Sequence, residues 1–376
     1  MSEEAGQSRL VSLDVFRGMT IAGMVLVNNP GTWSAIYPPL KHAEWHGITP
    51  TDYIFPFFLF IVGVAIPLAL GRRVEQGGIT KEVYLKIFRR TALIFLLGLF
   101  LAAFPYFDFS TLRIPGVLQR IAICYLITSL IFIRTDWKQQ TLIGIGLLIL
   151  YWALMTLIAV PNCDATTIDD KACNLAAYVD RTIFGENHIW RSAKVFDPEG
   201  ILSTIPAVVT TISGVLTGTW LKSKRDNLEK VAGMFFFGIV LTVTGWIWHS
   251  FFPINKSLWT SSYVLYTSGL ALLFLGFCFY LIDIKNYKKW TKPFVIFGVN
   301  ALALFVFSGL LSKILGIIKI TDTTGKQTSL QGWIFQSGFL SIAEPINASL
   351  LFALTYILFW LLLMWLLYRK RIYIKV

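Results

Sequence analysis

The chain has 376 residues, of which 55% are hydrophobic and only 14% are charged. Soluble globular proteins carry about 25% charged residues, so this composition excludes a water-soluble surface and indicates a polytopic membrane protein. The net charge of +12 does not indicate nucleic-acid binding, because the basic residues lie in short clusters between apolar runs.

Apolar runs of about 20 residues are long enough to cross a bilayer as helices, so the sequence predicts an all-α membrane bundle. The polar, acidic start MSEEAGQS does not resemble a cleaved signal peptide. The stretch 330–342 is short for a span and is predicted to be re-entrant or interfacial, so eleven spans are the alternative to ten. The predicted spans are 11–29, 52–71, 87–107, 115–134, 140–160, 200–221, 232–252, 258–282, 293–316 and 344–368.

Basic residues alternate along the chain in step with these spans. Every second loop is rich in Lys and Arg, which by the positive-inside rule predicts that both termini are cytoplasmic. The segments 30–51, 105–114, 161–199, 253–257 and 317–343 are then expected on the other side. The basic loops contain Arg72, Arg73, Lys81, Lys86, Arg89, Arg90, Arg134, Lys138, Lys222, Lys224, Arg225, Lys230, Lys285, Lys288, Lys289, Lys292, Arg369, Lys370, Arg371 and Lys375.

Two of the four cysteines, Cys163 and Cys173, share the predicted external loop 161–199. External compartments permit disulfides, and the short gap between the two residues closes easily, so the sequence predicts a Cys163–Cys173 bridge. Two free thiols are the alternative. Cys124 and Cys278 lie in apolar runs and are expected to be packing residues.

Ionisable residues within a span are costly and are therefore candidates for function. Asp14 and Arg17 share one helix face, where they either neutralise each other or line a cavity. The first predicted span ends near Asn28, whose amide either terminates the helix or is aimed at a substrate. Asp52 opens the second span, where it is expected to cap the helix or to face a substrate.

His42 and His46 lie just before the second predicted span. A zincin motif has glutamate directly after its first histidine, whereas Glu44 stands two residues on, so no metal site is expected. A histidine beside a membrane cavity suits a general base or a nucleophile that carries an acyl group. An interfacial histidine without a chemical role is the alternative.

Further polar residues lie near the predicted ends of the helices, several of them on the outer side. This distribution indicates an outer site for a polar, sugar-like ligand, although tryptophan at this depth is also typical of the aromatic belt. The residues are Gln119, Arg120, Asp197, Glu199, Asn255, Lys256, Trp259 and Asn300.

Six blocks of the chain resemble, in order, the heparan-α-glucosaminide N-acetyltransferase family of transmembrane acyltransferases, and more specifically a bacterial member. The blocks are SRLVSLDVFRGMTIAGMVLVNNPG, LKHAEWHGITPTDYIFPFFLFIVGVAI, RIPGVLQRI, FDPEGILSTIPAVVTTISGVLTG, NKSLWTSSYV and FGVNAL. They cover nearly the whole chain. The resemblance implies one transmembrane acyltransferase domain over 1–376, a bacterial inner membrane and a homodimer.

The resemblance also implies a reaction, in which acetyl from cytosolic acetyl-CoA is transferred across the membrane to the amine of a terminal glucosamine. The family's active histidine, in the KHAxW block, maps to His42, and the amide that ends its first span maps to Asn28. His46 stands where the animal enzymes have asparagine, and Phe307-Ser308 stand where they have a Gly-His pair. These departures leave the identity of the acceptor sugar open.

On this interpretation, His42 accepts a proton from the acceptor amine or carries the acetyl group transiently, and Asn28 holds the imidazole or donates to the developing oxyanion. The residues expected to bind the sugar are Asp197, Glu199, Asn255, Lys256, Trp259 and Asp52. The residues expected to bind coenzyme A are Arg17, Arg72, Arg89, Gln119, Arg120 and Asn300. An O-acetyltransferase of cell-surface glycans and a non-enzymatic carrier of small sugars or lipids are the alternative functions.

Overall fold

The computed structural model describes residues 10–163, 167–321 and 327–374. The N-terminal MSEEAGQS and Lys375, on which the sequence interpretation drew, lie outside the described residues. The described chain is helical apart from connecting segments and one two-stranded hairpin, so the all-α class is confirmed.

The helices form a bundle in which long elements alternate with short connections. In chain order the elements are α1 (Val11–Asn28), α2 (Ile54–Glu75), α3 (Lys81–Ala103), α4 (Val117–Arg134), α5 (Trp137–Leu157), α6 (Leu175–Phe184), α7 (Ile201–Lys222), α8 (Asn227–Trp248), α9 (Ser261–Cys278), α10 (Lys292–Val299), α11 (Ala301–Ile317), β1 (Lys319–Thr321), β2 (Gln327–Ser329), α12 (Leu330–Ile334) and α13 (Pro345–Arg369). A π-helical segment, Phe279–Ile284, extends α9.

Eight of the described helices are long and apolar enough to cross a membrane, namely α1, α2, α4, α5, α7, α8, α9 and α13. The pair α10 and α11 adds a ninth crossing if it is taken as one bent span. Helix α3 coincides with the predicted span 87–107, but its first half carries several charges and leaves only a short apolar run. All ten predicted spans therefore coincide with helices, while their apolar lengths support eight or nine crossings.

Hydrogen bonds join the five segments predicted on the external side to one another, at one end of the bundle that we call the outer end. These bonds run from Gln331 Nε2 to Pro30 O, from Gly47 N to Ile254 O, from Trp45 Nε1 to Ile168 O and from Ile114 N to His188 O. At the opposite, inner end, Lys222 pairs with Glu75. The helices thus alternate in direction as expected, and the compartment that each end faces stays a prediction.

The predicted ninth span, 293–316, is bent, because α10 and α11 meet at an angle of 81°. Asn300 lies at the bend, where its Nδ2 donates to Ile372 O at 3.1 Å and its Oδ1 accepts from Ile374 N at 2.9 Å. Short polar side chains that bond to the backbone in this way compete with helix. Asn300 therefore lies at the inner end and holds the C-terminal segment.

Helices α2 and α7 approach closely because glycines face each other between them. A Cβ atom on Gly63 would lie 2.0 Å from Thr211 O, and one on Gly214 would lie 2.0 Å from Phe60 O. Small residues allow such close backbone contact in membrane bundles. Both helices run from the outer end to the inner end, so this contact holds their N-terminal ends side by side at the outer end.

Candidate active site

His42 and Asp52 form a hydrogen-bonded pair at the outer end. Asp52 lies in a 3-10 turn, Pro50–Tyr53, that leads into α2, and it is only 1% exposed. Its Oδ2 accepts from Thr49 N at 2.9 Å and from Ala43 N at 3.1 Å, while its Oδ1 lies 2.6 Å from His42 Nδ1. One oxygen of Asp52 therefore caps the start of the helix, and the other holds the histidine.

The pair determines which nitrogen of His42 is free to react. An ionised carboxylate only accepts hydrogen bonds, so Nδ1 carries the proton and donates to Asp52, which leaves the Nε2 lone pair available. The His42 side chain is 49% exposed, so a substrate can reach it. Among the described residues, no cluster of three or more His, Cys, Asp or Glu side chains could hold a metal ion.

Lys256 places its ammonium group against the His42 ring. Its Nζ lies 3.2 Å from Nε2 and 3.3 Å from Nδ1. A donor that pointed along the lone pair of one ring nitrogen would lie much closer to that nitrogen than to the other. Because the two distances are nearly equal, the ammonium lies against the ring and leaves the Nε2 lone pair open. Burial lowers the pKa of Lys256, although Glu199 and Asp52 act in the opposite direction.

Asn255 shapes the loop that carries Lys256. It is fully buried, its Oδ1 accepts from Leu258 N at 2.9 Å, and its Nδ2 lies 3.3 Å from His46 Nδ1. These contacts are internal to the protein. Asn255 therefore shapes the loop, and its expected role in sugar binding stays a prediction.

The loop between α5 and α6 is tied to the segment that carries His42. Cys163 and Cys173 in this loop are joined by a disulfide. His46 Nε2 lies 2.8 Å from Asp169 Oδ1, and Trp45 Nε1 donates to the backbone of the same loop. The disulfide loop is thus held against the outer end beside the histidine.

Arg113 binds the two carboxylates that were expected to hold a cationic sugar. Its Nε and Nη2 donate to Asp197 at 2.8 and 2.6 Å, and its Nη2 also donates to Glu199. Burial pushes the pKa of Glu199 upward, but Arg113, Arg120 and Lys256 outweigh this effect and hold that pKa below its usual value. Sequence analysis missed Arg113, although a single arginine in a short external loop could have been recognised as a candidate site residue.

A cavity of about 610 Å³ opens beside Arg113 at the outer end. Apolar residues of α3, α4 and α11 form part of its wall, and the rings of Tyr106 and Trp190 form another part. Lys313 also lines it and donates to Leu101 O. A concave surface that combines aromatic rings with a few polar groups suits a sugar.

Gln119 and Arg120, which were expected to bind coenzyme A, lie at the outer end of the bundle, and that role stays a prediction. Helix α4 begins at the outer end, and both residues lie in its first turn. Gln119 Nε2 donates to Ile114 O at 3.0 Å, and Arg120 Nη2 donates to Gly200 O at 3.0 Å. Their side chains therefore connect the start of α4 to the outer loop and to the start of α7.

Trp259, which was expected to bind the sugar, is fully buried inside the bundle, and that role stays a prediction. Its Nε1 donates to Thr210 Oγ1 at 3.1 Å, and the guanidinium carbon of Arg120 lies 5.2 Å from its ring centroid. The tryptophan therefore supports Arg120 from inside the bundle.

Asn28, which was expected to assist His42, is the last residue of α1 and has an exposed side chain. Within the part of the chain that the structure describes, no hydrogen bond joins it to His42. Its neighbour Asn29 is buried and donates to Val25 O at 2.8 Å, next to the end of α1. A catalytic role for Asn28 stays a prediction.

Asp180 is a buried carboxylate that sequence analysis also missed. It lies on α6, is 1% exposed, and its Oδ1 accepts from Ile201 N at 2.9 Å. Burial, with a smaller contribution from Asp197, raises the pKa of Asp180 to about 7. Asp180 therefore caps α7 from another helix and titrates near neutral pH.

At the inner end, Asp14 and Arg17 pair as expected, with 3.3 Å between Arg17 Nη1 and Asp14 Oδ1. Asp14 also lines a cavity of about 660 Å³. Arg72 and Arg89 are exposed on α2 and α3, away from that lining, and their role stays a prediction. The cationic residues of the cavity are Lys222, Lys230 and Lys288.

The fold and this site define a polytopic helical membrane protein with a carboxylate-held histidine at one end of its bundle. Residues 9–224, more than half of the chain, match the family model described as "Domain of unknown function (DUF5009)", so the chain belongs to that family.

Two curated proteins are similar to the chain over most of its length. The heparan-alpha-glucosaminide N-acetyltransferase of Mus musculus is 28% identical over 360 residues, which is 81% of this chain and 54% of that protein. The Homo sapiens protein of the same name is 28% identical over 423 residues, which is 98% of this chain and 60% of that protein. The chain thus spans less than two thirds of either relative, and the resemblance seen in the six sequence blocks is confirmed.

Proposed function

We propose that the protein transfers acetyl from acetyl-CoA at the inner end of the bundle to the amine of a glucosamine-type sugar at the outer end. The observation that carries this proposal is the His42–Asp52 pair, in which Nε2 is open and within reach of a substrate. The similarity to two heparan-alpha-glucosaminide N-acetyltransferases supports an acetyl group as the cargo and an amino sugar as the acceptor.

His42 makes the acceptor amine reactive. A protonated amine has no lone pair for attack on a thioester, so His42 Nε2 first accepts a proton from it. Asp52 holds the ring and stabilises the imidazolium that forms, because its Oδ1 stays bonded to Nδ1. In the alternative route, Nε2 attacks the thioester itself and carries the acetyl group to the amine.

The cavity beside Arg113 is the place we expect for the sugar. Arg113 forms part of that cavity and binds Glu199, which in turn lies within the electrostatic influence of Lys256. Lys256 contacts His42. The cavity and the histidine are therefore neighbours, separated by this set of charged side chains.

The inner cavity is the place we expect for the nucleotide of coenzyme A. Lys222, Lys230 and Lys288 offer positive charge for its phosphates. The pantetheine arm would extend into the bundle toward His42, so that the acetyl group crosses while coenzyme A stays at the inner end. The hydroxyls of Ser213, which is partly buried, and Ser268, which is buried, are 3.0 Å apart on α7 and α9 and suit its amides.

The test of this proposal measures release of coenzyme A thiol by the purified full-length protein in nanodiscs supplied with acetyl-CoA and glucosamine. We expect turnover that requires glucosamine and that His42→Ala abolishes. His46→Asn is the matched control, and we expect it to keep most of the activity, because His46 contacts Asp169 and Asn255 rather than the reacting groups.

Glucosamine-dependent turnover in His42→Ala would contradict the assigned base. Release of thiol with hydroxyl acceptors but with no amino sugar would instead support O-acetyl transfer. Sugar transport without acetyl-CoA would support a carrier.

A further inference from the structure

Arg120 is a buried guanidinium whose donors are only partly used. It is 1% exposed, and its Nη2 donates to Gly200 O and to Ser203 Oγ. Within the described residues, its Nε and Nη1 are buried and have no hydrogen-bond partner. Two nitrogen atoms of a cation are thus left unsatisfied inside the bundle.

Unsatisfied donors at this depth require an explanation. Buried donors are nearly always paired, and an ionisable residue within a membrane span indicates a functional site by default. Charge balance with nearby Glu199 needs only a cation, which a lysine would supply equally well. Charge balance therefore does not explain why Arg120 keeps free donors.

The position of Arg120 connects it to His42. Its guanidinium lies over the ring of Trp259. Lys256, three residues before Trp259, contacts the His42 ring through its Nζ. Glu199 directly precedes Gly200, the backbone partner of Arg120. Arg120 and His42 therefore both contact the short segment that runs from Lys256 to Trp259.

We propose that Arg120, through the free N–H groups on Nε or Nη1, donates to the carbonyl oxygen of the acetyl group during its transfer. This inference rests on the proposed acetyltransferase function. It gives Arg120 the oxyanion-stabilising role that the sequence had suggested for Asn28, whose side chain is exposed.

The chemistry of direct transfer shows when this donation matters. The neutral amine, whose extra proton His42 Nε2 has already accepted, forms the new C–N bond through its lone pair while the carbonyl π electrons move onto oxygen. The oxygen electrons then re-form the carbonyl, the C–S bond breaks, and coenzyme A leaves as a thiolate that takes up the proton lost by the new amide nitrogen. The oxygen is negative only between these two steps, so fixed donors that are themselves buried from water lower the barrier.

The test compares Arg120→Lys with the wild type, using the full chain in nanodiscs with acetyl-CoA and glucosamine. Lysine keeps the charge but lacks the planar set of donors. We expect kcat to fall by about 100- to 1000-fold while the KM for acetyl-CoA and the thermal midpoint change little. Arg225→Lys is the matched control, because Arg225 also stacks on a tryptophan, Trp220, but lies at the inner end.

A second measurement separates donation to the carbonyl from a general effect on the site. S-ethyl-coenzyme A is a thioether without the carbonyl oxygen, and we expect it to bind the wild type and Arg120→Lys with the same Kd. Weaker binding of this probe to the variant would show that Arg120 shapes the coenzyme site and would overturn the inference. Should Arg120→Lys not fold, Arg120→Gln is measured in its place, with the same expected fall in kcat.

The outcomes also distinguish this inference from the proposed function. A wild type that releases no thiol with any acceptor would refute both. An active wild type together with a fully active Arg120→Lys would refute the role of Arg120 alone.

Discussion

The two oxygens of Asp52 perform different tasks on one side chain. Oδ2 accepts two backbone N–H groups at the turn before α2, and Oδ1 holds His42 Nδ1. The side chain is buried, so water does not compete for either bond. The orientation of the histidine is consequently set by the start of a membrane helix rather than by a mobile loop.

We predict that Asp52→Asn lowers turnover far more than it lowers stability. The asparagine oxygen can still accept the two backbone N–H groups, and asparagine is as good a cap as aspartate. Its amide nitrogen then donates to His42 Nδ1, which moves the ring proton to Nε2 and removes the reactive lone pair. By analogy with a serine protease triad, we expect kcat for thiol release to fall at least about 100-fold.

The matched control for this substitution is Asp226→Asn, which changes the N-cap of α8 at the inner end. It should leave kcat unchanged. An Asp52→Asn protein with nearly normal turnover would show that Asp52 only caps the helix.

We predict that Asp180 makes the protein less stable as the pH rises. Its pKa is raised to about 7 in the folded protein, so between its ordinary value of 3.8 and about 7 the folded state binds more protons than the unfolded state. Stability therefore falls across this window, and the loss approaches roughly 4 kcal/mol above pH 7 as an upper bound. Asp180→Asn keeps the acceptor for Ile201 N and removes the charge.

The measurement is the thermal midpoint of both proteins between pH 5 and pH 8.5. The variant should gain several degrees over the wild type as the pH increases. A variant that loses stability at high pH would show that the ionised carboxylate stabilises the start of α7 by more than its burial costs.

At the scale of elements, the contact between α2 and α7 positions both sides of the site. We predict that Gly63→Ala destabilises the protein by about 1–3 kcal/mol and lowers activity, because the added methyl meets the backbone of α7. Gly146→Ala is the matched control, since a Cβ there meets nothing within 4 Å, and it should stabilise α5 slightly. Thermal midpoints and thiol release measure both effects. Equal stability of the two variants would contradict the close contact.

The positions of the helices could be predicted because a bilayer demands long apolar runs, and such runs are local in sequence. The bend at Asn300 could not, because it depends on Ile372 and Ile374, more than 70 residues further along the chain. The ion pair of Arg113 with Asp197, which are 84 residues apart, was hidden for the same reason.

His42 was found through its sequence block and its place before a span. The place of Arg120 was also predictable, because the alternation of loops already placed the start of α4 at the outer end. Its expected role in binding coenzyme A did not make use of that topology. Its free donors are a property of packing, which only the folded structure shows.

At the scale of the whole molecule, we predict that the inner end faces the cytoplasm and the outer end faces the opposite side of the membrane. Single-cysteine labelling tests this orientation. The native free cysteines, Cys124 and Cys278, are buried, whereas Tyr106 at the outer end and Tyr287 at the inner end are 80% and 63% exposed. A membrane-impermeant maleimide should label Tyr106→Cys on intact cells and Tyr287→Cys only after lysis. The opposite pattern would reverse the orientation.

The disulfide between Cys163 and Cys173 has a consequence for the biogenesis of the protein. A chain inserted with its outer end in the cytosol would keep both thiols reduced, because that compartment opposes disulfides. Without the disulfide, the loop would lose more conformational entropy when it forms its hydrogen bonds to His46 and Trp45. Correct insertion and a well-ordered outer end would thus be coupled, so that misoriented copies would lack the covalently closed loop beside His42.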